Sequence, residues 1–252
     1  LIYYQNSSLS GQDPAFAGDF TLVRNNQPNL APVVQQFWQG EGVRVVNLEG
    51  PLALICPESD NPYIFCIPEK TWQSVMNLAT HWGIINNHML DLGANSLDNT
   101  RQIIEAKGEI PLDKNWENSQ MRIFPITLSL NPVESAQNMD LNSKYQSLIM
   151  LLKKQTANKL NVVFVHGGQE YISLPRDEYL KQLKSLIDAG ADAVIAHHTH
   201  VPGPLVIYKG KPIFTGLGNF VFDQDQLIST STATMIRLRK EGEKVLFESL
   251  HY

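Results

Sequence analysis

The sequence predicts an α/β domain in which strands and helices alternate first and strands alone follow. Two observations carry this. Short apolar, partly β-branched runs bounded by glycine, proline and asparagine alternate with stretches of helical spacing as far as Gly190. Beyond Pro204 only short strand-like runs remain, joined by turns such as Lys209-Gly210-Lys211 and Glu241-Gly242-Glu243.

In chain order, residues 1–14 are polar and turn-rich and read as a lead-in, and residues 15–252 read as one domain without an internal linker. Residues 15–20 form a strand that breaks at Gly18-Asp19. Residues 29–40 form a helix, with Asn29 as cap, Pro32 in the first turn and Gly40 past the end. Residues 43–49 are a strand closed by Gly50-Pro51. A proline-rich loop, 51–68, carries both cysteines. Helical spacing follows over 69–82 through Trp72, Val75, Met76 and Ala79, and then a strand over 83–86. Residues 96–108 form a helix that Ser96 caps and Gly108 ends. Strands at 121–130, 161–165 and 192–196 alternate with helices at 142–158 and 176–190. The terminal strands lie at 205–208, 212–215, 232–238 and 245–250. Trp38, Trp72 and Trp82 read as packing residues, and Trp116 lies in a polar stretch where exposure is expected.

With 43% apolar and 18% charged residues and a net charge of −5, the chain has a globular composition. No run of lysine and arginine stands out, which disfavours nucleic acid as a partner. No window reaches the roughly 18 apolar residues of a membrane span. The sequence opens at Leu1 with no apolar signal-like core, so it does not report its own export. Cys56 and Cys66 either close a small loop, worth about 2–3 kcal/mol, or remain thiols; the spacing leaves both open.

The chemistry is concentrated at strand ends. His197, His198 and His200 fall within four positions of a chain that has seven histidines. Gly18-Asp19, Asn47-Leu48-Glu49, Asn86-Asn87-His88 and His166-Gly167-Gly168 also follow apolar runs. One polar residue at a strand end is ordinary. Five such motifs at successive strand ends are better explained by one shared site. Their oxygen and nitrogen donors, with no thiolate, suit one or two divalent ions such as Mn, Fe or Zn.

The order of these motifs is similar to that of calcineurin-like metallophosphoesterases. It resembles more closely the bacterial CapA family of poly-gamma-glutamate capsule-synthesis proteins. The matching text is Gly18-Asp19, Asn47 through Leu52, Asn86-Asn87-His88 with Asp91 and Gly93, Val165-His166 with Gly168 and Glu170-Tyr171, Gly190 through Val201, Lys211 through Phe214, and Leu217 through Asp223. The resemblance implies a four-layer α-β-β-α sandwich of two mixed sheets. It implies Glu49 as a bridging carboxylate, Asp19 and His200 on one metal, and Asn87, His166 and His198 on the other. His88 would be the catalytic acid. His197 reads as supporting the ligands, and Glu170 and Asn219 as lining the pocket. Arg24 is a candidate to face an anionic substrate. Asp91 and Asp223 match the family text, and Asp91 reads as a cap or turn residue. Phe214, Phe220, Phe222 and Tyr171 read as core.

By the same resemblance the protein acts at the bacterial cell surface as a metal-dependent hydrolase, with poly-gamma-glutamate or a related anionic envelope polymer as substrate and other capsule-synthesis subunits as partners. Two alternatives remain, a non-catalytic polymer-binding or scaffold subunit and a small-molecule phosphatase or nucleotidase. Thr21 stands where the wider superfamily places a histidine ligand, and Glu49 stands where aspartate is usual. Ala196 and Gly167 also depart from the family text.

Overall fold

The computed structural model describes residues 3–4, 8–22, 30–58, 61–129, 138–156, 158–222 and 227–252. In chain order these form β1 (Tyr3–Tyr4), β2 (Ala15–Thr21), α1 (Pro32–Trp38), β3 (Arg44–Leu48), β4 (Leu52–Ala53), β5 (Ile67–Pro68), α2 (Glu69–Gln73), β6 (His81–Gly83), α3 (Ser96–Ala106) and β7 (Ile110–Leu112). There follow β8 (Trp116–Glu117), β9 (Met121–Ser129), α4 (Asn138–Leu152), β10 (Leu160–Gly168), α5 (Asp177–Ala189), β11 (Ala193–His197), β12 (Leu205–Tyr208), β13 (Lys211–Phe214), β14 (Asn219–Phe222), β15 (Thr234–Glu241) and β16 (Lys244–His251).

Two mixed sheets and a small parallel pair, β4-β5, result. The first runs β1-β16-β15-β2-β3-β6-β7, with β14 also paired to β2. In it β2, β3, β6 and β7 are parallel, while β15, β16 and β1 are antiparallel to their neighbours. The second runs β12-β13-β11-β10-β9-β8, with a parallel centre from β9 to β13. The central strands β2, β10 and β11 are almost wholly buried, as continuous apolar runs in parallel sheets require.

Three apolar clusters hold these elements. One joins the two sheets through Phe16, Val45 and Ile236 on the first and Ile123, Phe164 and Ile195 on the second. Another packs α1, α2 and α3 against the first sheet through Val34, Trp72 and Ile104. The last packs α4 and α5 against the second sheet through Leu148, Leu152, Leu183 and Leu186.

Several elements differ from expectation. The helix expected over 69–82 stops at Gln73 and continues only as a 3-10 turn, Met76–Leu78. The Thr80 hydroxyl bonds both the N–H and the C=O of Arg44, and this turns the chain into β6, so Trp82 is a strand residue. Strand pairing here overrides local helical spacing. Ser96 is the first residue of α3 rather than its cap, because its hydroxyl bonds the carbonyls of Met89 and Gly93. Trp116 lies in β8 with its ring edge-on to His81 at 4.2 Å. Tyr3–Tyr4 pairs with Ser249 and Leu250, and buried Asp13 meets Arg239, so the lead-in is tied to the sheet. Asn29, expected to cap α1, lies outside the described residues.

Gly18 shows how the fold sets the site. A Cβ there would lie 1.9 Å from the Gly218 carbonyl oxygen, so only glycine allows the two segments to touch. The next amide, Asp19 N–H, donates to that same oxygen at 3.1 Å.

Candidate metal centre

The strand ends of both sheets deliver their polar residues to one place. Asp19 lies in the second half of β2, and Glu49 follows β3. Asn87 and His88 sit on a 3-10 turn, Asn87–Leu90, beyond β6. His166 lies in β10, His197 ends β11, and His198 and His200 occupy the loop after it. That loop is strained: His198 and His200 have φ of 93° and 57°, a region that side chains other than glycine avoid. The Asp19 carboxylate holds one end of it by accepting the His198 N–H at 2.9 Å.

Glu49 is shared by two donor groups. Asp19, Glu49 and His200 offer donor atoms within 4.8 Å of one another, and so do Glu49, His166 and His198. Asn87 Oδ1 lies 2.6 Å from His166 Nε2. Two further groupings, Asp19 with His166 and His197, and Glu170 with His198 and His200, border these. Amide side chains position the donors. Asn47 Nδ2 donates to Asp19 Oδ1 at 2.9 Å, and Asn86 Nδ2 donates to Asn47 Oδ1 at 3.1 Å. His200 Nδ1 pairs with Asn219 Oδ1 at 2.9 Å, which leaves its Nε2 3.7 Å from Glu49 Oε1.

The electrostatics favour a cation. Glu49 is 0% exposed, and among the described residues neither of its carboxylate oxygens has a hydrogen-bond partner. Its nearest imidazole nitrogens, on His200 and His88, stop at 3.7 and 3.9 Å. Burial, and next the charge of Asp19, push the Glu49 pKa well above the usual carboxylate range. Asp19 behaves oppositely. Burial opposes its charge, but the hydrogen bond from His197 and the nearby imidazoles hold it well below that range. Burial and the neighbouring imidazoles push the His198 pKa down to about 4 and that of His166 well below its ordinary value. Neutral imidazoles beside an uncompensated buried carboxylate are the state a divalent ion requires of its ligands. The residues present therefore fit the metal.

The structure brings together Asp19, Glu49, Asn87, His88, His166, His198 and His200. His197 bonds Asp19 and His166, each at 3.1 Å. Glu170 is exposed at the rim, 4.0 Å from His198 Nε2. Arg24 and Asp223 lie outside the described residues. Asp91 is more than a turn residue: its Oδ2 accepts from His88 Nδ1 at 2.8 Å as well as from the Phe65 N–H. The three-residue spacing on a helical turn was the signal for that pair.

Phe214 and Phe220 are core residues as expected, whereas Tyr171 and Phe222 are not. Tyr171 is 40% exposed and stacks on His200 at 5.7 Å, and Phe222 meets the same imidazole edge-on at 4.9 Å. Aromatic periodicity cannot separate packing in a core from packing on a ligand. The Thr21 hydroxyl is buried with no partner among the described residues. Cys56 and Cys66 form a disulfide.

Two mixed sheets with carboxylates and imidazoles converging at their strand ends define a metallophosphoesterase-like α/β protein. Residues 112–224 match the family model described as bacterial capsule synthesis protein PGA_cap, a stretch that contains His166, His197, His198, His200 and Asn219. The chain belongs to this family, the CapA family. It is 31% identical over 199 residues to the capsule biosynthesis protein CapA of Bacillus anthracis, covering 69% of this chain and 46% of the relative. It is 43% identical over 82 residues to the PGA biosynthesis protein CapA of Bacillus subtilis, covering 32% of this chain and 22% of that one. A probable polyglutamine synthesis accessory protein of Mycobacterium tuberculosis is 36% identical over 77 residues, 30% of this chain and 20% of its own. The chain spans less than half the length of the curated relatives it matches.

Proposed function

We propose that the chain is a metal-dependent hydrolase-like protein that processes poly-gamma-glutamate, or a related anionic envelope polymer, at the bacterial cell surface. Other capsule-synthesis subunits are its partners in this reading. The observation that carries it is Glu49, a fully buried carboxylate with no hydrogen-bond partner among the described residues, between two sets of nitrogen and oxygen ligands. The family's four-layer sandwich is supported by the three apolar clusters, each between two layers.

One or two divalent ions, Mn, Fe or Zn, would be held by Glu49 together with Asp19 and His200 on one side and with Asn87, His166 and His198 on the other. Such ions supply Lewis acidity toward a phosphoryl or carbonyl oxygen and activate water near neutral pH. The chain's own residues do the rest. Asn219 fixes His200, and Asn47 and His197 fix Asp19. His88 gives its Nδ1–H to Asp91 and turns Nε2 to the cluster side; as the imidazolium, with a second proton on Nε2, it would pass that proton to the departing group and return to the Nδ1–H form.

Thr21 favours a second reading. A hydroxyl in place of a histidine weakens one metal position, and the site then binds polymer without cleaving it.

Elemental analysis of the purified protein beside His198→Ala and Asp19→Ala separates these. About two metal equivalents in wild type, reduced by one in each variant, with hydrolysis of a phosphodiester or gamma-glutamyl amide probe that His88→Ala abolishes, supports the hydrolase. One equivalent, lost in His198→Ala and kept in Asp19→Ala, with no hydrolysis, moves the binding reading to first place.

A further inference from the structure

Phe65 touches both members of the His88–Asp91 pair. Its ring stacks on the His88 imidazole with centroids 3.9 Å apart and planes 16° apart. Its backbone N–H donates at 2.7 Å to Asp91 Oδ2, the oxygen that also accepts from His88 Nδ1. The outer edge of the ring meets Phe222, which in turn meets His200. Behind it the fit is close. A Cβ on Gly50, whose φ is +136°, would lie 3.0 Å from the Phe65 Cβ, so the residue after Glu49 leaves room for Phe65 by having no side chain.

Phe65 stands two residues before β5. It ends a loop that leaves the body of the protein after β4, and Leu54, Ile55 and Tyr63 on that loop are exposed. The chain returns at β5, where Ile67 N–H donates to the Pro51 carbonyl. The bond that closes the loop is the Cys56–Cys66 disulfide, and Cys66 is the next residue after Phe65. Cys66 is buried and Cys56 half-buried. Reduction removes the covalent tie on the residue next to Phe65 and leaves its ring contacts with His88 and Phe222, its hydrogen bond to Asp91 and the β4-β5 pairing that follows.

We propose that the disulfide-closed segment 56–66 positions His88 through Phe65, so that the placement of this imidazole depends on the oxidation state of Cys56 and Cys66. Phe65 is a positioning residue. Its effect on turnover rests on the hydrolase reading; its effect on where the imidazole sits does not. Reduction by a phosphine is balanced: phosphorus gives two electrons and takes oxygen from water, and the two protons of that water end on the two thiols.

The test is NMR of the full chain labelled at histidine, with His88 identified by the signals lost in His88→Ala. In the oxidised protein the stacked Phe65 ring shifts the His88 ring protons upfield. Phe65→Leu, the Cys56→Ser/Cys66→Ser double variant and phosphine-treated wild type are each expected to lose that displacement, and Phe65→Tyr to keep it. Metal content stays at the wild-type level in all four. On bis-(p-nitrophenyl) phosphate or gamma-glutamyl p-nitroanilide, whichever is turned over, the first three lose roughly tenfold to a hundredfold in kcat with KM unchanged, and Phe65→Tyr restores it. Phosphine treatment of wild type carries the test should Phe65→Leu fail to fold. His88 resonances that stay in place after reduction and in Phe65→Leu overturn the proposal. No turnover of either probe by metal-loaded wild type, with the resonance shifts present, overturns the hydrolase reading and leaves the positioning role standing.

Discussion

Two regions of this protein bury carboxylates, and they compensate them in different ways. At the junction of β10, β11, β13 and β15, Asp192 accepts from Lys240 Nζ at 2.8 Å and from the Asn161 N–H at 2.9 Å, and Lys211 Nζ lies 3.0 Å away. Glu248, on β16, likewise accepts from Arg237 Nη1 at 3.1 Å. At the strand-end cluster, Asp19 is held by an amide and a backbone N–H, and Glu49 has no hydrogen-bond partner among the described residues. A charge removed from water must be compensated. In the first region the chain supplies the cation itself and the pairs join strands. In the second it leaves the carboxylate among imidazoles without a cation of its own, an arrangement that could hold a metal ion. Burial is equal in the two regions; the presence of a partner separates structural charge from functional charge.

The sharpest way to break this comparison is to remove the shared carboxylate of the first region. Asp192→Asn leaves two ammonium groups against an amide, and that of Lys240 is almost wholly buried. Breaking a buried ion pair costs about 3–5 kcal/mol. Urea unfolding is expected to show a loss of that size, with metal uptake of the folded protein unchanged. A loss under about 1 kcal/mol would mean that these pairs contribute little and that the contrast is one of geometry only.

A somewhat smaller effect is expected at His81, a buried titratable group that has no ionic partner and needs none. Its Nδ1 lies 2.8 Å from the Thr80 hydroxyl, and its Nε2 has no partner among the described residues. Burial pushes its pKa down from 6.5 to about 4. The unfolded chain therefore takes up this proton near the ordinary value and the folded one only near 4. The contribution to stability is complete above pH 6.5 and is lost as pH falls toward 4, by about 3 kcal/mol in all at 1.36 kcal/mol per unit. His81→Phe keeps a ring against Trp116 and removes the proton. Unfolding free energies at pH 7 and pH 4.5 should fall by about 2–3 kcal/mol more in wild type than in the variant. Equal falls in the two proteins would place the acid sensitivity elsewhere.

The alternation of strand and helix was legible because parallel strands buried on both faces are continuous apolar runs, and β2, β10 and β11 are such runs. The donor residues were legible because strand ends are where the chain can turn polar without leaving the core. What the sequence did not reveal depends on contacts across long separations. Thr80 breaks the expected helix by bonding Arg44, a residue 36 positions away. Tyr171 and Phe222 have the composition of core and the position of a wall beside His200. Asp91 read as a turn residue because its link to His88 involves a side chain on a 3-10 turn, and its link to Phe65 crosses 26 positions. The disulfide stayed open because spacing alone does not report the distance between two Cα atoms, here 5.7 Å.

The smallest effect is the most diagnostic, because its sign is unusual. Glu49→Gln removes a fully buried group, the kind of change that ordinarily destabilises a protein. Here the group removed is a carboxylate with no donor among the described residues, and the amide that replaces it carries no charge to desolvate. In chelator-treated protein the variant is expected to equal wild type or exceed it by about 1–2 kcal/mol. Divalent metal should reverse the order. At a hundredfold excess over its dissociation constant it stabilises wild type by about 2.7 kcal/mol through selective binding to the folded state, and the variant, without the carboxylate common to both donor groups, gains far less. Thermal unfolding of both proteins with chelator and with Zn or Mn reads this directly. A variant that unfolds in chelator as readily as Asp192→Asn would show that Glu49 is held by the protein itself, and the two regions would then differ in nothing that bears on function.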